Sequence, residues 1–153
     1  MANVRDYIRI NPIDVQLDRA IGVSLPFNGE GVFNSTYTTN EQVKSNLLNV
    51  ILTEPGERVF KPNFGVGLRS HLFENNVNKD ELTERIQNQI SLYIPQIELT
   101  NVTVKKANDS HELYVGIFYR VKVNGEEDAI QVNFSQDNNL ANSSTNTPSI
   151  GGY

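Results

Sequence analysis

The sequence predicts an α+β fold, with two main helices and one short helix packed on a three- to four-stranded antiparallel meander. Apolar residues recur at helical spacing in two stretches before Pro95, and they alternate with a period of two after it. Leu, Ile, Val and Phe supply 46 of the 153 residues, about 30%, above the ~20% below which chains tend to stay disordered. The chain is therefore rich enough in apolar residues to bury a core.

Composition divides the chain into three parts. Residues 1–38 show no sustained helical period, and we interpret them as an extended N-terminal arm with one or two short strands. Residues 39–134 carry the apolar periodicity and form the α+β core domain. Residues 135–153 are rich in Asn, Ser and Thr, and we expect a polar C-terminal tail that is loosely attached in isolation.

The first main helix is predicted to begin near Thr39, because Thr39 and Gln42 have the spacing of a capping box. Its apolar face carries Val43, Leu47, Leu48 and Ile51. Pro55 disfavours helical backbone in the residue before it, so the helix ends by Glu54. The segment 54–57, Glu-Pro-Gly-Glu, predicts a type II turn with Gly at the position of positive φ.

A short helix and then the second main helix follow. The short helix carries Leu68, Leu72 and Phe73. Asn78, with Glu81 three residues later, predicts the cap of the second helix. Its apolar residues recur every four positions, at Leu82, Ile86, Ile90 and Ile94, until Pro95 ends the helix.

Three strands are predicted after Pro95. The alternation changes phase between Leu99 and Val102, which predicts a β-bulge or a break. Residues 108–110 predict a turn, and strict alternation then runs from Leu113 to Val123. Asn124-Gly125 is a strong hairpin signal, and the return strand carries Ile130, Val132 and Phe134.

Composition and motifs exclude several classes of protein. The chain has no Cys, which excludes disulfides, thiolate zinc sites and Cys nucleophiles. A net charge of -5 gives no electrostatic footprint for nucleic acid. No apolar run approaches the ~20 residues of a membrane helix, and the first residues lack a signal peptide's apolar stretch. We expect a soluble protein made in a cytoplasm, with no cofactor.

Only one group of residues invites a catalytic hypothesis. Glu54, Glu57 and Glu74 are the densest carboxylate cluster, and a glycosidase needs two carboxyl groups about 5–9.5 Å apart. The alternative is that Glu54 and Glu57 flank a turn and pair with nearby cations or a partner. His71 and His111 lack the spacing of metal ligands. Strand edges and polar flanks favour binding or assembly over catalysis.

A family resemblance lies in the run from Asn46 to Glu74. Three motifs carry it: Pro-Gly-Glu-Arg at 55–58, Pro-x-Phe-Gly-x-Gly-Leu at 62–68, and Leu-Phe-Glu at 72–74. The run resembles the small baseplate wedge proteins, or sheath initiators, of contractile-tailed bacteriophages, with related components in type VI secretion systems. The resemblance covers roughly residues 20–134, although the arm matches weakly and the tail does not match.

The resemblance implies a non-enzymatic virion protein of the inner baseplate, arranged in a sixfold ring around the central tube. Its implied partners are wedge proteins, the tail sheath protein and the tube or hub. Strands that imitate a sheath subunit would give the first sheath ring an edge on which to assemble. The family has also been labelled lysozyme-like, so a peptidoglycan hydrolase that uses the three glutamates is the alternative.

The resemblance also assigns two sets of candidate residues. The first set is expected to bind the wedge: Glu54, Pro55, Gly56, Glu57, Arg58, Ile94, Pro95 and Gln96. The second set is expected to pair with sheath strands: Leu113, Val115, Ile117, Tyr119, Val121, Ile130, Val132 and Phe134. The family often carries Glu-Pro-Arg where this chain has Ile94-Pro95-Gln96, so we expect an apolar or amide contact at that corner.

Overall fold

A computed structural model describes residues 12–16, 18–25, 33–72, 78–106 and 112–135. The N-terminal part contains a 3₁₀ helix, Pro12–Val15, and two short strands. The elements are β1 (Gly22–Val23), β2 (Ser35–Thr36), α1 (Thr39–Leu52), α2 (Leu68–Leu72), α3 (Lys79–Tyr93), β3 (Ile97–Lys106), β4 (Glu112–Val121) and β5 (Glu127–Ser135). The predicted α+β class, with two main helices and one short helix, is confirmed.

Helix α1 is capped one residue earlier than the sequence predicted. Thr38 is the N-cap: its hydroxyl accepts from Glu41 N–H at 3.3 Å, and Glu41 Oε2 accepts from Thr38 N–H at 3.3 Å. Thr39 is already helical, and its N–H and hydroxyl both donate to Asp14 Oδ1, at 2.7 and 2.8 Å. The predicted partner Gln42 instead accepts from the Thr36 hydroxyl. The capping box is thus Thr38 with Glu41.

Helix α3 agrees with its prediction at both ends. The Asn78 side chain accepts from Glu81 N–H at 3.4 Å, as expected of an N-cap. The helix ends at Tyr93, with Ile94 as its C-cap before Pro95. The predicted apolar face, Leu82, Ile86, Ile90 and Ile94, is buried.

The meander is a three-stranded antiparallel sheet in the order β3-β4-β5. Its register places Phe118 of β4 opposite Asn101 of β3 and Ala129 of β5. The predicted irregularity is confirmed, because the register of β3 shifts between Leu99 and Asn101. The turn predicted at residues 108–110 lies outside the described residues.

The β4–β5 hairpin has a wider turn than the sequence predicted. Strand β4 ends at Val121, and Val123, expected to continue the alternation, is 36% exposed in the loop. Gly125 has a φ of +74°, and its N–H donates to Val121 O at 2.8 Å. Because Gly125 closes the turn on Val121, the chain leaves the ladder two residues before Val123.

The core lies between the helices and one face of the sheet. Helix α1 contributes Val43, Leu47, Leu48, Val50 and Ile51. The loop after α1 and helix α2 add Phe64, Val66 and Leu68, and the sheet adds Ile97, Leu113, Val115, Ile117, Tyr119, Val121, Ile130 and Val132. This layer fixes both the loop that follows α1 and the strands of the meander.

The described part of the N-terminal segment packs against α1. Strands β1 and β2 form a small antiparallel ribbon, which matches the one or two short strands expected there. Leu25 N–H donates to Ser45 Oγ at 3.2 Å, and the Thr36 hydroxyl donates to Gln42 Oε1 at 2.6 Å. The predicted tail lies outside the described residues except Ser135. No helix in the described ranges is long and apolar enough to cross a bilayer.

Candidate functional site

The loop between α1 and α2 carries five of the eight residues that were expected to bind the wedge, from Glu54 to Arg58. It opens with the expected turn, in which Glu57 N–H donates to Glu54 O at 3.1 Å and Gly56 has a φ of +94°. Gly56 N–H then donates to Pro62 O at 2.8 Å, which draws the two ends of the outer part of the loop together. Pro55, Gly56, Glu57 and Arg58 are exposed, whereas Glu54 is half-buried.

Polar side chains hold this loop against the helices. Glu54 Oε1 accepts from Arg69 N–H at 2.9 Å, at the start of α2. Gln89 of α3 accepts from Gly65 N–H at 2.9 Å and donates to Asn63 O at 3.0 Å. Backbone groups that no helix or strand could pair are therefore satisfied by side chains.

Gly65 lies where the loop passes closest to the end of α1. Its φ is +105°, and a Cβ added there would lie 2.2 Å from Thr53 O. Both the backbone conformation and the space require glycine. Phe64, Val66 and Leu68 around it are buried, so the Phe-Gly-x-Gly-Leu motif attaches the loop to the core.

The outermost turn of the loop exposes two large apolar side chains. Val59 is 88% exposed and Phe60 is 96% exposed. The Arg58 guanidinium lies 3.8 Å from the centroid of the Phe64 ring, and Lys61 Nζ lies 5.5 Å from that of Tyr93. Val59 and Phe60 belong to the motif run but were not among the predicted partner residues, because exposure of an apolar pair has no signal in the sequence.

The second predicted corner, Ile94-Pro95-Gln96, divides into a buried and an exposed part. Ile94 is 1% exposed, so its side chain belongs to the core and cannot make the apolar contact expected of it. The sequence indicated this burial, because Ile94 continues the four-residue spacing of Leu82, Ile86 and Ile90. Pro95 and Gln96 are exposed, and Lys122 Nζ donates to Pro95 O at 2.7 Å. Lys122 thus places a positive charge at this corner, although the Glu and Arg of the Glu-Pro-Arg motif are absent.

Tyr93 connects the two segments that carry the first predicted set. Tyr93 immediately precedes Ile94, and its ring faces both the cation of Lys61 and the edge of Phe64, with ring centroids 4.7 Å apart. Tyr93 thus connects the loop, through Lys61 and Phe64, with the exposed pair Pro95-Gln96 two residues further along the chain, in one part of the surface. We call this part, comprising residues 54–63, 93, 95, 96 and 122, the corner surface.

The second set of predicted residues requires a correction. Strand β4 is the central strand and pairs with β3 on one side and β5 on the other, so it offers no free edge. Its candidates, Leu113, Val115, Ile117, Tyr119 and Val121, are buried core residues. The order of strands in a meander already places the second strand in the middle, so the sequence contained this signal.

The remaining strand candidates lie in β5, at an edge of the sheet. Ile130 and Val132 have buried side chains, and Phe134 pairs in register with Leu113. Within the described ranges, no strand pairs with the outer sides of β3 and β5. Any intermolecular pairing by this sheet must therefore use the backbone of β3 or β5.

A polar cluster attaches β5 to helix α1. Lys44 Nζ lies 2.8 Å from Asp128 Oδ2, and the Tyr119 hydroxyl donates to the same oxygen at 3.4 Å. Burial, and then the neighbouring Asp128 carboxylate, raise the pKa of Tyr119 above its ordinary value. Tyr119 therefore remains a neutral donor, and the start of β5 is held at a fixed position relative to α1.

The catalytic hypothesis gains no supporting geometry. Glu54 accepts from Arg69 N–H, and Glu57 Oε2 accepts from Glu54 N–H at 3.0 Å, so both carboxylates support the turn. Glu74 and His111 lie outside the described residues. Among the residues that are described, no three His, Cys, Asp or Glu side chains are grouped so that they could hold a metal ion.

Comparison with known proteins identifies relatives of this chain. Residues 38–126 match the model of the family described as baseplate wedge protein gp25. The chain is 33% identical to baseplate wedge protein gp25 of Enterobacteria phage T4 over 87 residues, and this stretch is 56% of the chain. The match spans 66% of the length of that phage protein, just under two thirds.

Two solved structures also resemble this chain. The chain resembles the crystal structure of a protein described as a tail lysozyme from Geobacter sulfurreducens, with 25% identity and a TM-score of 0.57, over 71% of this chain and 97% of the other. A chain of the anti-feeding prophage baseplate has 26% identity and a TM-score of 0.49, over 63% and 79% of the two chains. The family match covers more than half of the chain, so this protein belongs to the gp25 baseplate wedge family of contractile tails.

Proposed function

We propose that this chain is a non-enzymatic structural protein of the virion, which binds wedge proteins through the corner surface and starts the tail sheath by pairing strands along β5. The observation that carries the sheath part is the regular outer edge of β5, which pairs with no strand in the part of the chain that the structure describes, in a chain that belongs to a baseplate family. Strand addition to such an edge is a common mode of protein association.

The direction of the backbone groups along β5 supports this proposal. Val121 N–H donates to Glu126 O at 2.9 Å, and antiparallel pairs alternate between bonded and non-bonded. In the observed register, Ala129, Gln131 and Asn133 therefore direct their N–H and C=O groups away from β4. Consistently, Ala129 N–H donates to Asp128 Oδ1 at 2.8 Å. The outer edge thus presents the carbonyl groups of these three residues and the N–H groups of Gln131 and Asn133 to an incoming strand, whereas the N–H of Ala129 is already bonded.

Strand β3 is a poorer template than β5. Its register shifts at Thr100, between Leu99 and Asn101, whereas β5 pairs continuously with β4 from Glu127 to Ser135. A bulge bends a strand and increases its twist, and natural sheets use bulges to block edge pairing. We therefore assign the pairing edge to β5.

The energy of such an edge is modest for one subunit and large for a ring. Each backbone hydrogen bond contributes about 0.5–1.5 kcal/mol net. Three outward residues on β5 could form several such bonds, and a sixfold ring would repeat them on each subunit. The Lys44–Asp128 pair fixes the start of β5 on α1 and limits the cost of ordering the edge.

The proposed wedge contact uses the exposed members of the first predicted set. These members are Pro55, Gly56, Glu57 and Arg58 of the loop, together with Pro95 and Gln96, and all six are exposed. Lys122, held at Pro95 O, adds a cation that the sequence pattern did not predict. A carboxylate on the wedge protein could therefore pair at this corner.

A proline substitution on the outer edge tests the sheath proposal. Gln131→Pro removes a backbone N–H that points away from β4, so the meander keeps its own hydrogen bonds. We expect the variant to fold and to join the baseplate, but to lower the yield of assembled sheath, counted by electron microscopy with the sheath protein of the same tail. Gln131→Ala, which keeps the N–H, is the matched control and should assemble normally. Normal sheath yield with Gln131→Pro would reject pairing along β5.

A lysozyme-like glycoside hydrolase is the second candidate function. The likeness to a protein described as a tail lysozyme favours it, whereas the turn-supporting bonds of Glu54 and Glu57 oppose it. The test is release of soluble fragments from purified peptidoglycan by the wild-type chain and by Glu57→Gln. Activity in the wild type that the substitution abolishes would establish the enzyme and reject the non-enzymatic proposal.

A further inference from the structure

The outermost turn of the corner surface has an unusual combination of exposure and fixation. Val59 and Phe60 are 88% and 96% exposed. Lys61 N–H donates to Arg58 O at 3.1 Å, which places the two apolar residues at the centre of a β-turn. We call residues 58–61 the apolar tip.

Both sides of the apolar tip are attached to the rest of the molecule. Before it, Gly56 N–H donates to Pro62 O, and Glu54 accepts from Arg69 N–H. After it, Phe64 N–H donates to Lys61 O at 3.0 Å, and Phe64 itself is buried. The tip therefore presents its side chains without the ordering cost that a flexible loop would incur on binding.

The two cations of the tip are also held in place. Arg58 lies over the Phe64 ring, and Lys61 lies within reach of the Tyr93 ring, as cation–π pairs. The nearest carboxylate in sequence, Glu57, is directed back to Glu54 N–H. In a chain with a net charge of -5, the apolar pair is thus flanked by a local positive charge on each side.

We propose that the apolar tip inserts Phe60 and Val59 into an apolar pocket on a wedge protein, and that carboxylates rim this pocket and face Arg58 and Lys61. The inference rests on the proposed function, because it names the chemistry of the wedge contact made by the corner surface. An aromatic anchor in a pocket, surrounded by complementary charges, is the usual arrangement of an energetic centre in an interface. The fixed pair Val59-Phe60, flanked by the cations of Arg58 and Lys61, would be this chain's side of such an interface.

The experiment measures binding of the full-length chain to the wedge proteins encoded in the same tail gene cluster, co-expressed and purified as the probe. Phe60→Ser should weaken binding about 10- to 100-fold, as expected for loss of one buried aromatic side chain. Val59→Ser should weaken it less. Leu92→Ser, on α3 and 67% exposed, is the matched control and should bind as the wild type does. Thermal unfolding of each variant should match the wild type, because these side chains are exposed.

A second measurement tests the proposed acidic rim of the pocket with Lys61→Glu. This substitution should slow association at low salt, and the difference from the wild type should shrink as salt is raised. Unchanged or tighter binding by Lys61→Glu would show that the rim of the pocket is not acidic, and would overturn the proposed chemistry.

The outcomes separate the inference from the proposed function. Wild-type binding with unchanged affinity for Phe60→Ser would overturn the tip as an anchor and leave wedge binding intact. A wild type that does not bind the wedge proteins would reject the proposed function, and the inference with it. Phe60-dependent self-association, or Phe60-dependent binding to vesicles of phosphatidylcholine and phosphatidylglycerol, would identify a different occupant and overturn the proposal.

Discussion

The segments that follow α1 and α3 are held in place in different ways. Both helices stop before a proline, at Pro55 and Pro95. After Pro95 the chain enters β3 within two residues, and the buried Ile94 side chain holds the corner. After Pro55 the chain leaves the core, exposes the apolar tip, and returns at Phe64 with help from Glu54 and Gln89. The short connection is fixed mainly by packing and by backbone hydrogen bonds, such as that from Lys122 N–H to Gln96 O at 3.0 Å, whereas the long loop needs polar side chains that bond its backbone.

The largest effect should come from Gly65→Ala, at the point where the long loop returns. The new Cβ would lie 2.2 Å from Thr53 O, and a φ of +105° is strained for alanine. We expect a loss of about 4 kcal/mol or more in the free energy of unfolding, or failure to fold, measured by denaturant titration. Gly56→Ala is the control, since its φ is also positive but its surroundings are open, and it should cost only about 1–2 kcal/mol. Equal losses would mean that backbone conformation, and not the close approach, controls the return of the loop.

The short corner should be most sensitive at Ile94. Ile94→Ala removes a buried side chain and leaves a cavity, so we expect a loss of about 3 kcal/mol in stability by chemical denaturation. Ile94→Val, which removes one methylene, should cost about 1 kcal/mol. A loss below 1 kcal/mol for the alanine variant would contradict the view that packing of Ile94 is the main support of this corner.

Gln89→Ala should loosen the long loop without unfolding the protein. It leaves the buried Gly65 N–H and the Asn63 carbonyl without their partner, so we expect a loss of about 2 kcal/mol. Hydrogen exchange at Gly65 should accelerate, while exchange in β4 should change only as the global stability changes. Gln89→Glu keeps the acceptor for Gly65 N–H and should lose less. Unchanged exchange at Gly65 would show that Gln89 does not hold the loop.

Lys122→Ala should have the smallest effect on stability. Its ammonium contacts Pro95 O at an exposed site, so the change should be about 0.5 kcal/mol or less by thermal unfolding. If Lys122 belongs to the wedge contact, its loss should instead lower the rate of association with wedge proteins. A large loss of stability would mean that the short corner also depends on a polar contact.

The sequence predicted the elements better than the surfaces. Helical spacing located α1 and α3, and the change of phase after Leu99 located the bulge, because both signals are local patterns of burial. The same patterns identified Ile94 and the β4 residues as core, although the resemblance assigned them to partners. Exposure of Val59 and Phe60 could not be predicted, since it depends on how the whole loop folds back. The capping box moved by one residue because Asp14, 25 residues away in sequence, bonds the first turn of α1.

The bulge at Thr100 also affects whether copies of this chain could pair with one another repeatedly through the edges of the sheet. A sheet with one regular and one irregular edge can pair along the regular edge but cannot form a repeating series, because each copy has only one regular edge. If β5 pairs with sheath strands as proposed, such a chain would start a series of paired strands and would not be extended by further copies of itself. The asymmetry of three strands would in this way separate initiation from polymerisation.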